Sequence, residues 1–349
     1  MLSPGATTNV SAIPPSIVDV CTPTNGQKEV IEIKKSTCSH ETWVAFDLIA
    51  TFGLHTAVLS IDETPMYVYA VDGSYIEPQL VDAIPATNGD RYSVLLKLDK
   101  PGDYTIRVAS LIDVQILAGA ATLRFRDGDA DPPSDVSLPY INEAGVNTSA
   151  SVRFFDQALM KSFPPDRISE TADQTIKLAI RTAGRSYLWA LNETSYPQQL
   201  EDARPLLFAP PNLDLHNNVT ISTRNDTWVD IVFEDVVFPM PPHPIHKHGN
   251  KMWRIGAGDG RFNYSTVAEA LQHIPEKFNL VDPPKRDSFA TLPAITGPVW
   301  MVVRYHVNNP GAWLMHCHIQ SHLLGGMSVA VQDGVDHWPT VPDEYLNYQ

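Results

Sequence analysis

The chain has 349 residues, 43% of them apolar and 19% charged, which is enough apolar material to close compact cores and excludes wholesale disorder. Against 25 Lys and Arg stand 40 Asp and Glu, a net charge of -15; with no basic run, nucleic-acid binding is excluded, because phosphate contacts need clustered cations. No apolar stretch approaches the roughly 18 residues that cross a bilayer as a helix, so no membrane span is expected.

Residues 1–39 read as an N-terminal segment. Neither a basic nor an apolar run follows Met1, so no signal peptide is visible. Cys21 and Cys38, 17 positions apart, are read as a disulfide, worth about 3 kcal/mol if it acts through loop entropy. Residues 40–130 carry short apolar runs at Trp43–Ile49, Met66–Val71, Arg91–Leu98 and Tyr104–Ala109. Turn chemistry separates them: Asp72-Gly73, Asn88-Gly89-Asp90 and Pro101-Gly102-Asp103. Short strands at this spacing predict an antiparallel β-sandwich. The polar stretch from Arg126 to Ser134 opens a linker over 131–149. Residues 150–349 repeat the pattern with runs at Ser151–Phe155, Thr175–Arg181, Thr227–Phe233, Trp300–Val307 and Met327–Val331, and one predicted helix at Ser265–His273. With 29 prolines between these runs, the expected class is all-β, built from two β-sandwich domains.

Six N-x-Ser/Thr sequons occur, at Asn9, Asn147, Asn192, Asn218, Asn225 and Asn263, where chance gives about two. They predict a glycoprotein that is secreted, extracellular or in the cell wall.

The chemistry is concentrated in the histidines. Of 12, six fall in two clusters: His243-Pro-Ile-His246-Lys-His248-Gly249, and His316-Cys317-His318-Ile-Gln-Ser-His322 followed by Met327. On an extended strand successive side chains alternate faces. Cys317 then points one way while His316 and His318 point the other, so one strand can serve two metal sites. His246 and His248 likewise share a face, opposite to His243. One Cys, two His and a distant Met form the trigonal set with a weak axial thioether that suits blue copper; here it would be His243, Cys317, His322 and Met327. Zinc is the competing metal, but it prefers closed sets richer in cysteine at C-x-x-C spacing, which is absent.

These two clusters, with Leu323-Leu-Gly-Gly-Met327 after the second, resemble the two C-terminal copper motifs of multicopper oxidases. Asn308-Asn-Pro-Gly-Ala-Trp313 and Pro283-Pro-Lys-Arg-Asp287 are similar to that family as well, above all to its fungal ascomycete members. Val71-Asp-Gly-Ser-Tyr-Ile-Glu-Pro78 and Asn88-Gly-Asp-Arg-Tyr92 resemble its middle cupredoxin domain. The resemblance implies two cupredoxin-like Greek-key β-sandwiches and copper as cofactor. It implies that His243, Cys317 and His322 ligate a type 1 copper with Met327 axial. His246 would ligate a type 2 copper, and His248, His316 and His318 a type 3 pair. It further implies that Cys317, His316 and His318 carry electrons from a small reductant to O2.

The same resemblance implies a first domain with two more His-x-His motifs, which this sequence does not contain; only half of the cluster histidines are present. Gln320 stands where relatives place a carboxylate, and glutamine cannot act as an acid. Lys247, between two ligand histidines, reads as a solvent-facing side chain. Phe238-Pro-Met-Pro-Pro242 before His243 holds no acid, which favours aromatic or phenolic donors: a laccase-like reading, with pigment or secondary metabolism as its setting. The alternatives are a ferroxidase of iron uptake, with Asp62 and Glu63 facing the type 1 mouth, and an inactive copper-binding remnant. Asp62 and Glu63 otherwise read as acids in a surface turn.

Overall fold

The structure, a computed structural model, describes residues 29–35, 41–54, 56–111, 117–129, 137–197, 205–208 and 219–346. The expected Cys21–Cys38 disulfide and the sequons at Asn9 and Asn218 lie outside these residues. The chain divides into two units, one of Met1–Gly73 with Pro78–Asp156 and one of Ser74–Glu77 with Gln157–Gln349. Both are the β-sandwiches expected.

The first nine strands are β1 (Val30–Lys34), β2 (Thr42–Ile49), β3 (Ala57–Ile61), β4 (Met66–Val71), β5 (Ser74–Val81), β6 (Ala83–Ala86), β7 (Arg91–Leu98), β8 (Gly102–Ser110) and β9 (Ala118–Arg126). They form sheets in the orders β1-β9-β8-β3-β6 and β2-β7-β4-β5. Strand β7 shows why: in Arg-Tyr-Ser-Val-Leu-Leu-Lys-Leu every second residue, Tyr92, Val94, Leu96 and Leu98, is buried, the two-residue period of a strand with one face on a core. Asp62 and Glu63 lie in the turn after β3 as expected, but Asp62 is not at the surface. It is fully buried, and the Arg107 guanidinium holds it at 2.8 Å. The run Ser151–Phe155 is not a strand either; it makes a single bridge, Phe154 to Ala83, and is held by the Arg153–Asp82 ion pair and by Phe155 edge-on to Tyr92. Ile141, from the stretch read as a linker, packs with Val58, Ala83 and Ala109.

Eleven strands follow: β10 (Gln174–Thr182), β11 (Trp189–Leu191), β12 (Thr220–Ser222), β13 (Trp228–Asp235), β14 (Pro244–Lys247), β15 (Met252–Asp259), β16 (Lys285–Arg286), β17 (Ser288–Ala290), β18 (Val299–His306), β19 (Gly311–Cys317) and β20 (Ser328–Asp333). The sheets run β11-β10-β13-β18-β15-β16 and β12-β20-β19-β14-β17. Pairing is mostly antiparallel as expected, but β1 with β9, β10 with β13 and β12 with β20 are parallel. Parallel neighbours need long crossovers, which local turn signals do not reveal.

Strand β18 reads as a continuous apolar run because both its faces are covered. Met301, Val303 and Tyr305 enter the core between the sheets. Trp300 and Val302 face a second cluster with Val267 and Ala270 of helix α1 (Val267–His273). The predicted helix is thus present. Thr266 Oγ1 accepts from the Glu269 N–H, and Glu269 accepts in return from the Ser265 N–H, a reciprocal N-terminal cap. A second, five-residue helix, α2 (Gln320–Leu324), follows β19 and carries His322.

Within this sheet Arg304 of β18 and Asp230 of β13 form a two-pronged ion pair at 2.6 and 2.8 Å, both 1% exposed. Removing one member strands a buried charge. Arg304→Met should therefore lower unfolding free energy by about 3–5 kcal/mol, and the double change Arg304→Met with Asp230→Leu should recover most of it. Urea denaturation of the two variants checks this; equal losses would refute it.

Candidate metal centre

The ladder between β14 and β19 pairs Ile245 with Cys317, His246 with His316 and Lys247 with Met315. This register brings the two histidine clusters together. Among the described residues two groups of three donors result: His243 with Cys317 and His322, and His246 with His248 and His316.

In the first group Cys317 Sγ lies 3.8 Å from His243 Nδ1 and 3.9 Å from His322 Nδ1, and the two nitrogens are 3.2 Å apart. Ligands of one ion, at bond lengths near 2.0 Å for nitrogen and 2.3 Å for sulfur, stand roughly 3–4 Å apart, so the spacing fits a single metal. Cys317 and His243 are fully buried and His322 nearly so. Burial pushes the Cys317 thiol up to about 12, with Asp235 adding to the effect; a thiolate forms there only beside a cation. Burial likewise pulls His322 down to about 3, helped by neighbouring His243, which leaves a neutral imidazole fit to ligate. Met327 is buried in the same core, and its carbonyl accepts from the Cys317 N–H at 3.0 Å.

Two residues of this site escaped the sequence reading. Asp235, fully buried at the end of β13, lies 3.3 Å from His243 Nε2, and neither atom has another partner. A carboxylate there favours the Nε2–H tautomer and leaves Nδ1 free to ligate. Its signal in the sequence is weak, because Asp235 ends a strand that already holds Asp230 and Glu234. Trp189 of β11 stacks on His322, with centroids 4.1 Å apart and planes at 28°, and stands 5.4 Å from His243. Nothing in Trp-Ala-Leu announced that contact.

In the second group His248 Nε2 and His316 Nε2 are 3.2 Å apart. His246 Nδ1 lies 2.8 Å from the Asp287 carbonyl and His316 Nδ1 lies 2.9 Å from the Cys317 carbonyl. A ring that donates from Nδ1 to a carbonyl turns its Nε2 lone pair outward, as a metal ligand requires. Burial pulls His316 down to about 4 and lowers His246 and His248. His318 stands at the rim, its ring 5.5 Å from His316 and 6.0 Å from His246. The group borders a cavity of about 340 Å³ that Lys251, Asp287 and Trp313 also line. Gly249 turns the chain there with φ of +82, where a Cβ would overlap the Trp313 ring.

Lys247 corrects the expectation of a solvent-facing side chain. It is fully buried, with Nζ 2.7 Å from Asp333 Oδ2, because the face of β14 opposite His246 is covered rather than open. Gln320 is exposed at the start of α2. Glu63 accepts from the Leu138 N–H at 2.8 Å.

A β-sandwich that brings one thiol and several imidazoles together in this arrangement makes a site suited to copper. Comparison agrees: the family description Multicopper oxidase matches residues 16–127 and again residues 191–337. The chain is 38% identical over 349 residues to multicopper oxidase elcG of Phaeosphaeria nodorum, covering 97% of this chain and 55% of that protein. It is 40% identical over 335 residues to laccase abr2 of Aspergillus fumigatus, covering 94% and 56%. A solved structure of a point mutant of the laccase from B. aclada superposes with a TM-score of 0.70 at 23% identity, covering 91% of this chain and 55% of that one. Fet3p, described as a multicopper oxidase that functions in iron import, superposes with a TM-score of 0.68 at 20% identity, covering 92% and 61%. The chain belongs to the multicopper oxidase family, and it spans little more than half the length of the relatives it matches.

The lowered histidines give a pH signature. In the unfolded chain an imidazole titrates near 6.5; in the native, metal-free chain His316 and His322 titrate near 4 and 3. Between those values and about 6.5 the unfolded state binds more protons, so stability rises with pH and levels off above it. In chelator, lowering pH from 7 to 5 should cost on the order of 2 kcal/mol per imidazole. Urea midpoints at the two pH values measure this; a midpoint that does not move would refute it.

Proposed function

We propose that this chain forms the type 1 copper site and half of the oxygen-reducing site of a laccase-like oxidase. That enzyme takes single electrons from phenolic or other aromatic donors and reduces O2 to water. One observation carries the reading: Cys317 and His316 are consecutive on β19, yet one belongs to the first donor group and the other to the second.

In this reading His243, Cys317 and His322 would hold the first ion, with Met327 as a weak fourth donor. His246 would hold a type 2 copper, and His248, His316 and His318 the type 3 pair. Copper, when bound, supplies one-electron redox chemistry at both groups. The protein supplies the rest. Asp235 orients His243, and Trp189 covers the ring of His322 and keeps water from the sulfur. Cys317 and His316 give a covalent path between the groups, and the 2.9 Å contact of His316 Nδ1 with the Cys317 carbonyl adds a second link.

Two observations favour an aromatic donor over iron. Half-exposed Phe238 precedes His243 in a segment without acids. Asp62 is already neutralised by Arg107, which removes one of the two carboxylates an iron site would use. Laccases among the relatives support the same choice. Secretion accords with the exposed sequons Asn147 and Asn263.

The copper-loaded chain should show the intense visible band of copper–thiolate bonding, and a phenol should bleach it faster than ferrous ion does under anaerobic conditions. Reduction by ferrous ion alone would sink the laccase reading. Cys317→Ser should abolish the band in folded protein. Met327→Leu should keep the band and raise the potential, where about 59 mV corresponds to a tenfold change in equilibrium constant. An unchanged potential in a redox titration would remove Met327 from the ligand set.

A further inference from the structure

Lys247 has a place in the fold that the copper reading does not account for. Its side chain is fully buried, on a strand whose neighbouring residues face the metal groups. An ammonium carries three protons and accepts none. Here three acceptors meet it: Asp333 Oδ2 at 2.7 Å, Asn250 Oδ1 at 2.7 Å and the His248 carbonyl at 3.1 Å. The Tyr305 ring closes the fourth side, 4.6 Å from Nζ to its centroid.

The acceptors are themselves fixed. Asp333 Oδ1 accepts from Tyr305 Oη at 2.9 Å and from Thr223 Oγ1 at 2.7 Å. Asn250 Nδ2 donates to the His306 carbonyl and to Asn308 Oδ1, each at 3.1 Å. The socket therefore ties the turn after β14 to β20 on one side and to the end of β18 on the other. The His248 peptide is gripped at both ends, because its N–H donates to the Leu314 carbonyl at 2.9 Å while its C=O receives Lys247.

We propose that Lys247 is a positioning residue for the second histidine group: its socketed ammonium fixes the main chain of His248 and so aims that imidazole at His316. The proposal rests on the reading of this group as a copper site. Stability alone does not explain a lysine here, since an apolar pair of similar volume is commonly as stable as a buried ion pair. What an apolar side chain does not provide is a donor to the His248 carbonyl.

The test is a titration of the full chain with copper(II) alone. The visible band follows the Cys317 group, and the electron paramagnetic resonance signal without thiolate character follows the histidine group. Lys247→Met should leave the first signal as in the wild type and weaken binding at the second by 10–100-fold, the loss typical when a group supporting a ligand is removed. If that variant does not fold, Lys247→Met with Asp333→Asn, which leaves no unpaired charge, carries the same expectation. A folded variant whose second group binds copper with wild-type affinity and resonance parameters would overturn the proposal. So would a folded variant that loses both signals together, since Lys247 would then support the whole unit. Wild-type chain that takes up copper at neither group would refute the copper reading itself.

Discussion

The arrangement depends on one ladder, the antiparallel pairing of β14 with β19. Its register sets Ile245 opposite Cys317 and His246 opposite His316. The two-residue period of a strand then separates the thiol from the imidazole beside it. A slip of one residue would move every side chain of β19 to the other face, placing His316 in the apolar core and the thiol among the histidines. Register is held because Met315 and Cys317 are part of a packed core with Val303, Tyr305 and Val329, so any shift would expose apolar surface and bury imidazoles at once.

Burial sets the chemical character of the two groups as much as geometry does. In the first, desolvation keeps the thiol protonated and the His322 imidazole neutral. Such a pocket is a poor host for any isolated charge and a good one for a cation that brings its own compensation. The second group keeps one side toward solvent through its cavity; burial lowers His246 and His248 and pulls His316 down to about 4. A dry thiolate site beside a wetter histidine site is the division of labour expected when one passes electrons and the other handles a small molecule.

Most of the fold and the donor set were legible in the sequence because strands announce themselves by alternation and ligands by residue type. That His316 and Cys317 enter different donor groups follows from period two alone, whereas His318 lies past the end of β19 and outside both groups; α1 followed from Thr266 and Glu269 at capping distance. Illegible features involve partners far apart in the chain. Lys247 was read as exposed because β14 alone cannot reveal that Asp333, 86 positions on, covers its second face. Asp235 and Trp189 lie in runs that look like ordinary strand. Ser151–Phe155 had strand composition but no partner beyond Ala83. His322 comes within reach of Cys317 and His243 although it sits on a helical turn rather than on the strand.

The depth of Cys317 also bears on how an ion arrives. Among the described residues, His243 and Cys317 are fully buried and an indole lies on His322, so the sulfur has no contact with solvent. Delivery there has to wait for local opening of the segment that carries His322, whereas His246 keeps a fifth of its side chain in contact with water. On the copper reading, metallation is then a two-speed process: the histidine group would equilibrate with the surrounding metal pool, and the thiolate centre, once filled, would exchange its ion only as often as the protein breathes.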